Sequence, residues 1–221
     1  MNIKSIITLS IIILLTGCQN NIENKEEYQE SLKDITIEEN ELSKNISCKE
    51  YKGLDDSLIL EITNNNTKTI RHLVVDIDFF DEQNKKICTD SKYTFFLDYE
   101  ETLPLSFNCD KMNQVKNYDI KFVVEENFHS NLASLENDIY LTDNAYDTTI
   151  YIQVENKTAP ILTKSEIIVT FYRDSQIVAT NKGIVRNISK GETKLLEIKI
   201  PTVNNEPIDY SAYSVKTNYA Y

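Results

Sequence analysis

The stretch IRHLVVDIDFFD, residues 70–81, decides the fold class. Leu73, Val75, Ile77 and Phe79 fall on one side of an alternation, with His72, Val74, Asp76, Asp78 and Phe80 on the other. Successive side chains of an extended chain point to opposite faces, so a period of two in β-branched and aromatic residues predicts a strand with one face in a core. His72 is predicted to point outward from that strand.

Outward from this stretch the same texture continues. SLILEIT (57–63), TLPLSF (102–107) and DIKFVVEE (119–126) are short candidate strands separated by turns containing Asn or Asp. Nothing here predicts a long helix. The pattern also recurs. SLILEITNN at 57 matches TIYIQVENK at 149, and LVVDIDFF at 73 matches SEIIVTFY at 165, both 92 residues on. After a turn one residue longer in the first copy, ICT (87–89) aligns with VAT (178–180) and LDYEETLPL (97–105) with ISKGETKLL (188–196). The expected offset then returns to 92, with Tyr118 meeting Tyr210 and Val123 meeting Val215. A fixed period in the apolar phase marks a duplicated unit.

The chain is therefore expected to be all-β, with two tandem small immunoglobulin-like β-sandwich modules at 46–126 and 137–221. The connector, 127–136, is predicted to be a short helix because Phe128, Leu132, Leu135 and Ile139 have helical spacing. Each copy carries an Asn-containing turn (TNNNTKTI, VENKTAPI) and a strand ending DFFD or TFYRD. The second continues through KGIVRNISKGETKLLEI. This arrangement resembles the FxLYD-type modules of bacterial surface lipoproteins, most closely through Phe171, Tyr172, Gly191, Glu192 and Thr193. The first copy has Glu100 where that glycine would be. The resemblance implies an extracellular binding or spacer unit with no catalytic role.

The N-terminus supplies an address. Met1-Asn-Ile-Lys4 precedes an apolar run over 6–15 broken by Thr8 and Ser10. That is about half the roughly 20 apolar residues a bilayer-spanning helix needs, and it fits the centre of a secretory signal. Leu15-Thr16-Gly17-Cys18 resembles the lipobox of bacterial lipoproteins. The resemblance implies removal of residues 1–17 and acylation of Cys18, which becomes the first mature residue and the membrane anchor. Residues 18–45 then read as an acidic tether too poor in large apolar side chains to fold independently. Tyr28, Leu32 and Ile35 are spaced for a short amphipathic helix within it.

Composition narrows the partners. The formal net charge is −12, and Lys4 is the one charged residue of the signal, so the remainder is more acidic still. This excludes nucleic acid and docking on an anionic lipid surface, which need basic patches. Four glycines and no cluster of them exclude a nucleotide-phosphate loop. His72 and His129 are far apart, with no ligand pattern and no C-x-x-C, which argues against a zinc site or a histidine-based triad. No cofactor is expected.

Three features remain as candidate sites. Asp76 and Asp78 share a strand face near Asp81 and could supply calcium oxygens, the alternative being a solvated strand face. Tyr210, Tyr213, Tyr219 and Tyr221 crowd the end of the chain and are candidates for an exposed recognition surface, though Tyr is also a good strand residue. Cys88 and Cys109 are within reach of a disulfide if their strands pair directly around the DYEE turn. Those strands may equally lie in opposite sheets, and the second copy's Ala179 and Ile200 make small buried apolar positions the alternative. The expected function is a non-catalytic, membrane-anchored lipoprotein displaying two modules to an envelope or extracellular protein. A ligand-binding lipoprotein for a sugar or divalent metal comes second, and an envelope enzyme third.

Overall fold

The computed structural model describes residues 39–127 and 132–221. Fourteen strands dominate: β1 (Ile46–Lys52), β2 (Leu58–Asn64), β3 (Ile70–Phe80), β4 (Lys86–Leu97), β5 (Thr102–Phe107), β6 (Asn117–Val124), β7 (Ile139–Tyr146), β8 (Thr149–Asn156), β9 (Ile161–Arg173), β10 (Gln176–Ser189), β11 (Thr193–Lys199), β12 (Thr202–Val203), β13 (Glu206–Pro207) and β14 (Ala212–Ala220). All the pairings are antiparallel. The fold is all-β, of sandwich type.

The sheets repeat. The first half builds β1-β2-β5 and β4-β3-β6, and the second builds β7-β8-β11 and β10-β9-β14. Strand by strand these are the same order, with the short hairpin β12-β13 as the second half's addition. Leu73, Val75, Ile77 and Phe79 of β3 are fully buried and meet Leu60 and Ile62 of β2 and Leu103, Leu105 and Phe107 of β5 in one core. In the second half Ile150, Ile152 and Val154 of β8 meet Ile167, Val169 and Phe171 of β9.

The Asn-containing turns owe their recurrence to backbone satisfaction. Asn64 is fully buried, and its Nδ2 donates to the carbonyls of Lys68 and Leu97, each at 2.9 Å. Asn156 donates likewise to Ala159 at 2.9 Å and Ile188 at 2.8 Å. Each amide ties the β2–β3 or β8–β9 turn to the neighbouring strand end, using carbonyls that burial would otherwise orphan.

The turn before β5 and β11 is also duplicated. The Glu101 amide donates to the Asp98 carbonyl at 3.1 Å and the Glu192 amide to the Ser189 carbonyl at 2.9 Å. Each glutamate side chain then accepts from the first amide of its own turn, Asp98 at 2.8 Å and Ser189 at 2.9 Å. The third residue is left-handed in both, Gly191 at φ 77° and Glu100 at φ 56°. Such a φ favours glycine, so the departure from the module pattern at Glu100 is a side chain accepting the glycine conformation.

Several expectations are corrected. The last strand of the second half is not displaced by 92 residues. Tyr118 pairs opposite Phe79 and Tyr213 opposite Phe171, so Tyr118 corresponds to Tyr213 rather than Tyr210. The β12-β13 hairpin takes up the extra chain. The connector forms no regular helix in its described part: Glu136–Asp138 makes one 3-10 turn and Ile139 begins β7. Phe128 and His129 lie outside the described residues, as do Tyr28, Leu32 and Ile35. Residues 39–44, expected to belong to the tether, are helical, and Leu42 is buried in the first core.

The two halves interlock. Strand β9 is buried on both faces from Ser165 to Phe171, and Ile168 on its outer face belongs to the first half's core. The Leu54 amide donates to the Val178 carbonyl at 2.9 Å. Lys216 of β14 reaches across to Glu101 Oε1 at 2.6 Å and the Thr102 carbonyl at 2.9 Å.

Candidate functional site

The C-terminal tyrosines do not form one exposed surface. Tyr219 is 0% exposed and centres an aromatic cluster where the halves meet. Its ring lies 5.2 Å from Phe95, 6.1 Å from Tyr93 and 5.9 Å from Tyr221. It is buried because β14 ends against β4 of the first half, a contact no local pattern encodes. Tyr210 packs on Phe171 and Tyr213. Tyr213 donates to Asp143 Oδ2 at 2.7 Å, and burial together with that carboxylate pushes its hydroxyl up to about 12. Tyr118 bonds Glu50 in the same way, linking last strand to first strand in the other half, and its hydroxyl is likewise raised to about 12.

His72 lies on the outer face of β3, as expected, yet it is only 5% exposed, with Phe95 stacked on its ring at 4.7 Å. Its Nδ1 lies 2.8 Å from Glu125 Oε2. Around this stack is a pocket of about 440 Å³ lined by His72, Tyr93, Phe95, Lys164 and Tyr221, with Leu132 at one side. Lys164 Nζ sits 5.0 Å from the centroid of the Tyr219 ring. Aromatic walls with a few polar groups at this volume are the usual make-up of a small-ligand pocket. Sequence reasoning named Tyr221 but missed the rest of the site, because its residues come from β3, β4, β9 and the chain end. Its one local signal is the clustering of Tyr93, Phe95 and Phe96.

The aspartates are engaged individually. Asp78 Oδ1 accepts from Lys86 Nζ at 3.0 Å and Thr89 Oγ1 at 2.5 Å, and these partners hold its carboxyl below the usual carboxylate range. Asp76 Oδ1 accepts from Ser91 Oγ at 2.5 Å. Asp81 Oδ1 accepts from the amides of Gln83 and Lys85, capping the β3–β4 turn. Among the described residues no three His, Cys, Asp or Glu side chains converge to hold a metal ion. Asp76, Asp78 and Asp81 thus each serve the β3–β4 hairpin through partners of their own.

Cys88 and Cys109 are joined by a disulfide with Cα atoms 6.3 Å apart. Cys88 lies in β4 and Cys109 just past the end of β5, in the other sheet, so the bridge staples the two sheets together. Ala179 and Ile200, their counterparts, are buried in the second core. Cys48 is a free, half-buried thiol, raised above its ordinary range by burial and then by Glu50. Cys18 lies outside the described residues.

One titratable group at the junction is unusual. Glu136, in the 3-10 turn between the halves, has a buried Oε1 without a hydrogen-bond partner. Burial, then Glu101 and Asp98, push its carboxyl up to about 8, with Lys216 opposing. The folded state thus holds this proton more tightly than the unfolded chain does. Its contribution is fully favourable below the unfolded value near 4.5 and is lost as pH rises through about 8. Glu136→Gln is expected to gain stability relative to the parent as pH rises across that window. The gain should be on the order of 2 kcal/mol, allowing for screening where water still reaches the group. Urea unfolding of both proteins from pH 4.5 to 8.5 measures this, and parallel curves would refute it.

No protein-family model matches the chain, and no curated protein matches it either. The lipoprotein and module resemblances therefore rest on the residues quoted above.

Proposed function

We propose that the chain is a lipid-anchored extracytoplasmic lipoprotein of the bacterial cell membrane. In this reading it has no catalytic activity of its own, and its modules at 46–126 and 137–221 bind an envelope or extracellular protein. The observation that carries the reading is Leu15-Thr16-Gly17-Cys18 closing a short apolar run behind Lys4. The Cys88–Cys109 bridge supports the same compartment by separate chemistry, since disulfides persist where thiols are not kept reduced. The acidic balance supports outward display, because the folded part would be repelled by anionic lipid. A second reading, binding of a sugar or similar small ligand, is favoured by the aromatic pocket of His72, Tyr93, Phe95, Lys164 and Tyr221.

Cys18→Ala tests the anchor. The parent should incorporate labelled fatty acid and sediment with membranes. The variant should take up no label and either stay unprocessed or leave the membrane, with the melting transition of the folded part unchanged. Equal labelling of parent and variant would end the reading. Capture on immobilised chain from the organism's envelope extract then separates a protein partner from a glycan.

A further inference from the structure

The two halves share their strands but close one end of the sandwich differently. From β5 to β11 the repeat offset is 91 residues (Phe107 to Ile198), and by the last strands it has grown to 95 (Tyr118 to Tyr213). The additional chain lays Ile208, Val203 and Tyr210 on the second core. Tyr210 sits edge-on to Phe171 at 5.1 Å and to Tyr213 at 6.3 Å.

The first half has both ring partners. Phe79 and Tyr118 occupy the register positions of Phe171 and Tyr213, and their rings lie 6.4 Å apart, edge-on. Where the second half has Tyr210 it has Val115, which carries no ring: the Lys116 amide donates to the Phe80 carbonyl as the Ser211 amide does to Tyr172, each at 2.8 Å. Its shorter connection, through the turn Met112–Gln114, leaves a cavity of about 510 Å³. Leu58, Phe79, Met112, Val115 and Tyr118 are among its walls, while Glu50 and Ser57 supply oxygen acceptors. The repeat therefore displays what fits such a place: a phenol ring held edge-on by a Phe and a Tyr, a geometry aromatic pairs favour.

We propose that this cavity binds a phenolic ring, carried by a small molecule or by a tyrosine of a partner polypeptide. The site does not depend on the anchor at Cys18. The hydroxyl finds an acceptor in Glu50 or Ser57 and the ring takes the place that Tyr210 fills in the second half.

Met112 makes the test direct, because the full chain has two methionines, Met1 and Met112. Full-length protein labelled with carbon-13 at the methionine methyls is titrated with p-cresol, with N-acetyl-tyrosinamide and with cyclohexanol, Met112→Leu assigning the signal. The Met112 methyl should move upfield and saturate, with a Kd for p-cresol on the order of 1 mM, as a ligand of this size allows. Cyclohexanol, of like size without a ring current or π-face, should bind about ten-fold more weakly. Saturation by N-acetyl-tyrosinamide as well assigns the site to a polypeptide tyrosine, and saturation by p-cresol alone to a small phenol. Phe79→Leu should weaken p-cresol several-fold, and if that variant does not fold, the comparison of probes on the parent decides. No saturable shift with p-cresol, or equal affinity for cyclohexanol, overturns the proposal.

Discussion

Removing the Cys88–Cys109 bridge is expected to lower stability by about 3 kcal/mol, the loop-entropy value for a closed ring of this length. In a chain of this size that corresponds to a fall in melting temperature of roughly 6–12 °C. The bridge links β4 in one sheet to the chain leaving β5 in the other, so no strand pairing duplicates its restraint. The second half shows what takes its place: Ala179 and Ile200 fill the equivalent positions with buried apolar contact. Cys88→Ala with Cys109→Ile should therefore recover part of the loss suffered by Cys88→Ala with Cys109→Ala. Thermal melts with and without reductant check both points. A parent indifferent to reductant, melting like the double variant, would show that no bridge is present.

The second large effect concerns the interlock of the halves. Glu166 is 3% exposed, with Oε2 at 2.9 Å from Lys182 Nζ and Oε1 accepting from Asn218 Nδ2 at 2.7 Å. It lies on the outer face of β9 beside Ile168, a face the first half covers. Lys182→Met leaves the buried carboxylate without its cation, and because Lys182 is itself half exposed the cost is expected on the order of 2 kcal/mol, between a surface pair and a fully buried one. Glu166→Gln should cost less, because the remaining Lys182 is half exposed and water can take it. The double variant should be more stable than Lys182→Met alone, a coupling that a double-mutant cycle in urea isolates. If Lys182→Met costs under about 1 kcal/mol, the ion pair behaves as a surface pair and the junction is looser than its burial implies.

Much of the architecture was legible because it follows from local physics. Alternation over residues 70–81 marks β3, since a strand with one buried face must place apolar side chains two apart. TLPLSF is β5 residue for residue. The duplication was legible wherever apolar phase was retained, and the shared Asn64 and Asn156 contacts explain why those turns kept their asparagines.

Most of the failures come from packing that no local pattern encodes. His72 has the exposed-face phase of its strand, and a bulge after Thr217 turns Tyr219 to the outer face of β14, yet both are buried, His72 under Phe95 of the adjoining strand and Tyr219 against β4 of the other half. SEIIVTF (165–171) reads as a strand, but its burial on both faces required the first half's core to reach Ile168. The last strand's register slipped because identities there are few and the β12-β13 hairpin hides the added residues. The sequence by itself determined the class of fold, the strand pattern and the recurrence of that pattern, each a property of neighbouring residues. That the Cys88–Cys109 bridge runs between the two sheets, which tyrosines are covered, and where the cavity over Phe79 opens were decided only by tertiary packing, because burial belongs to whatever the chain folds back against.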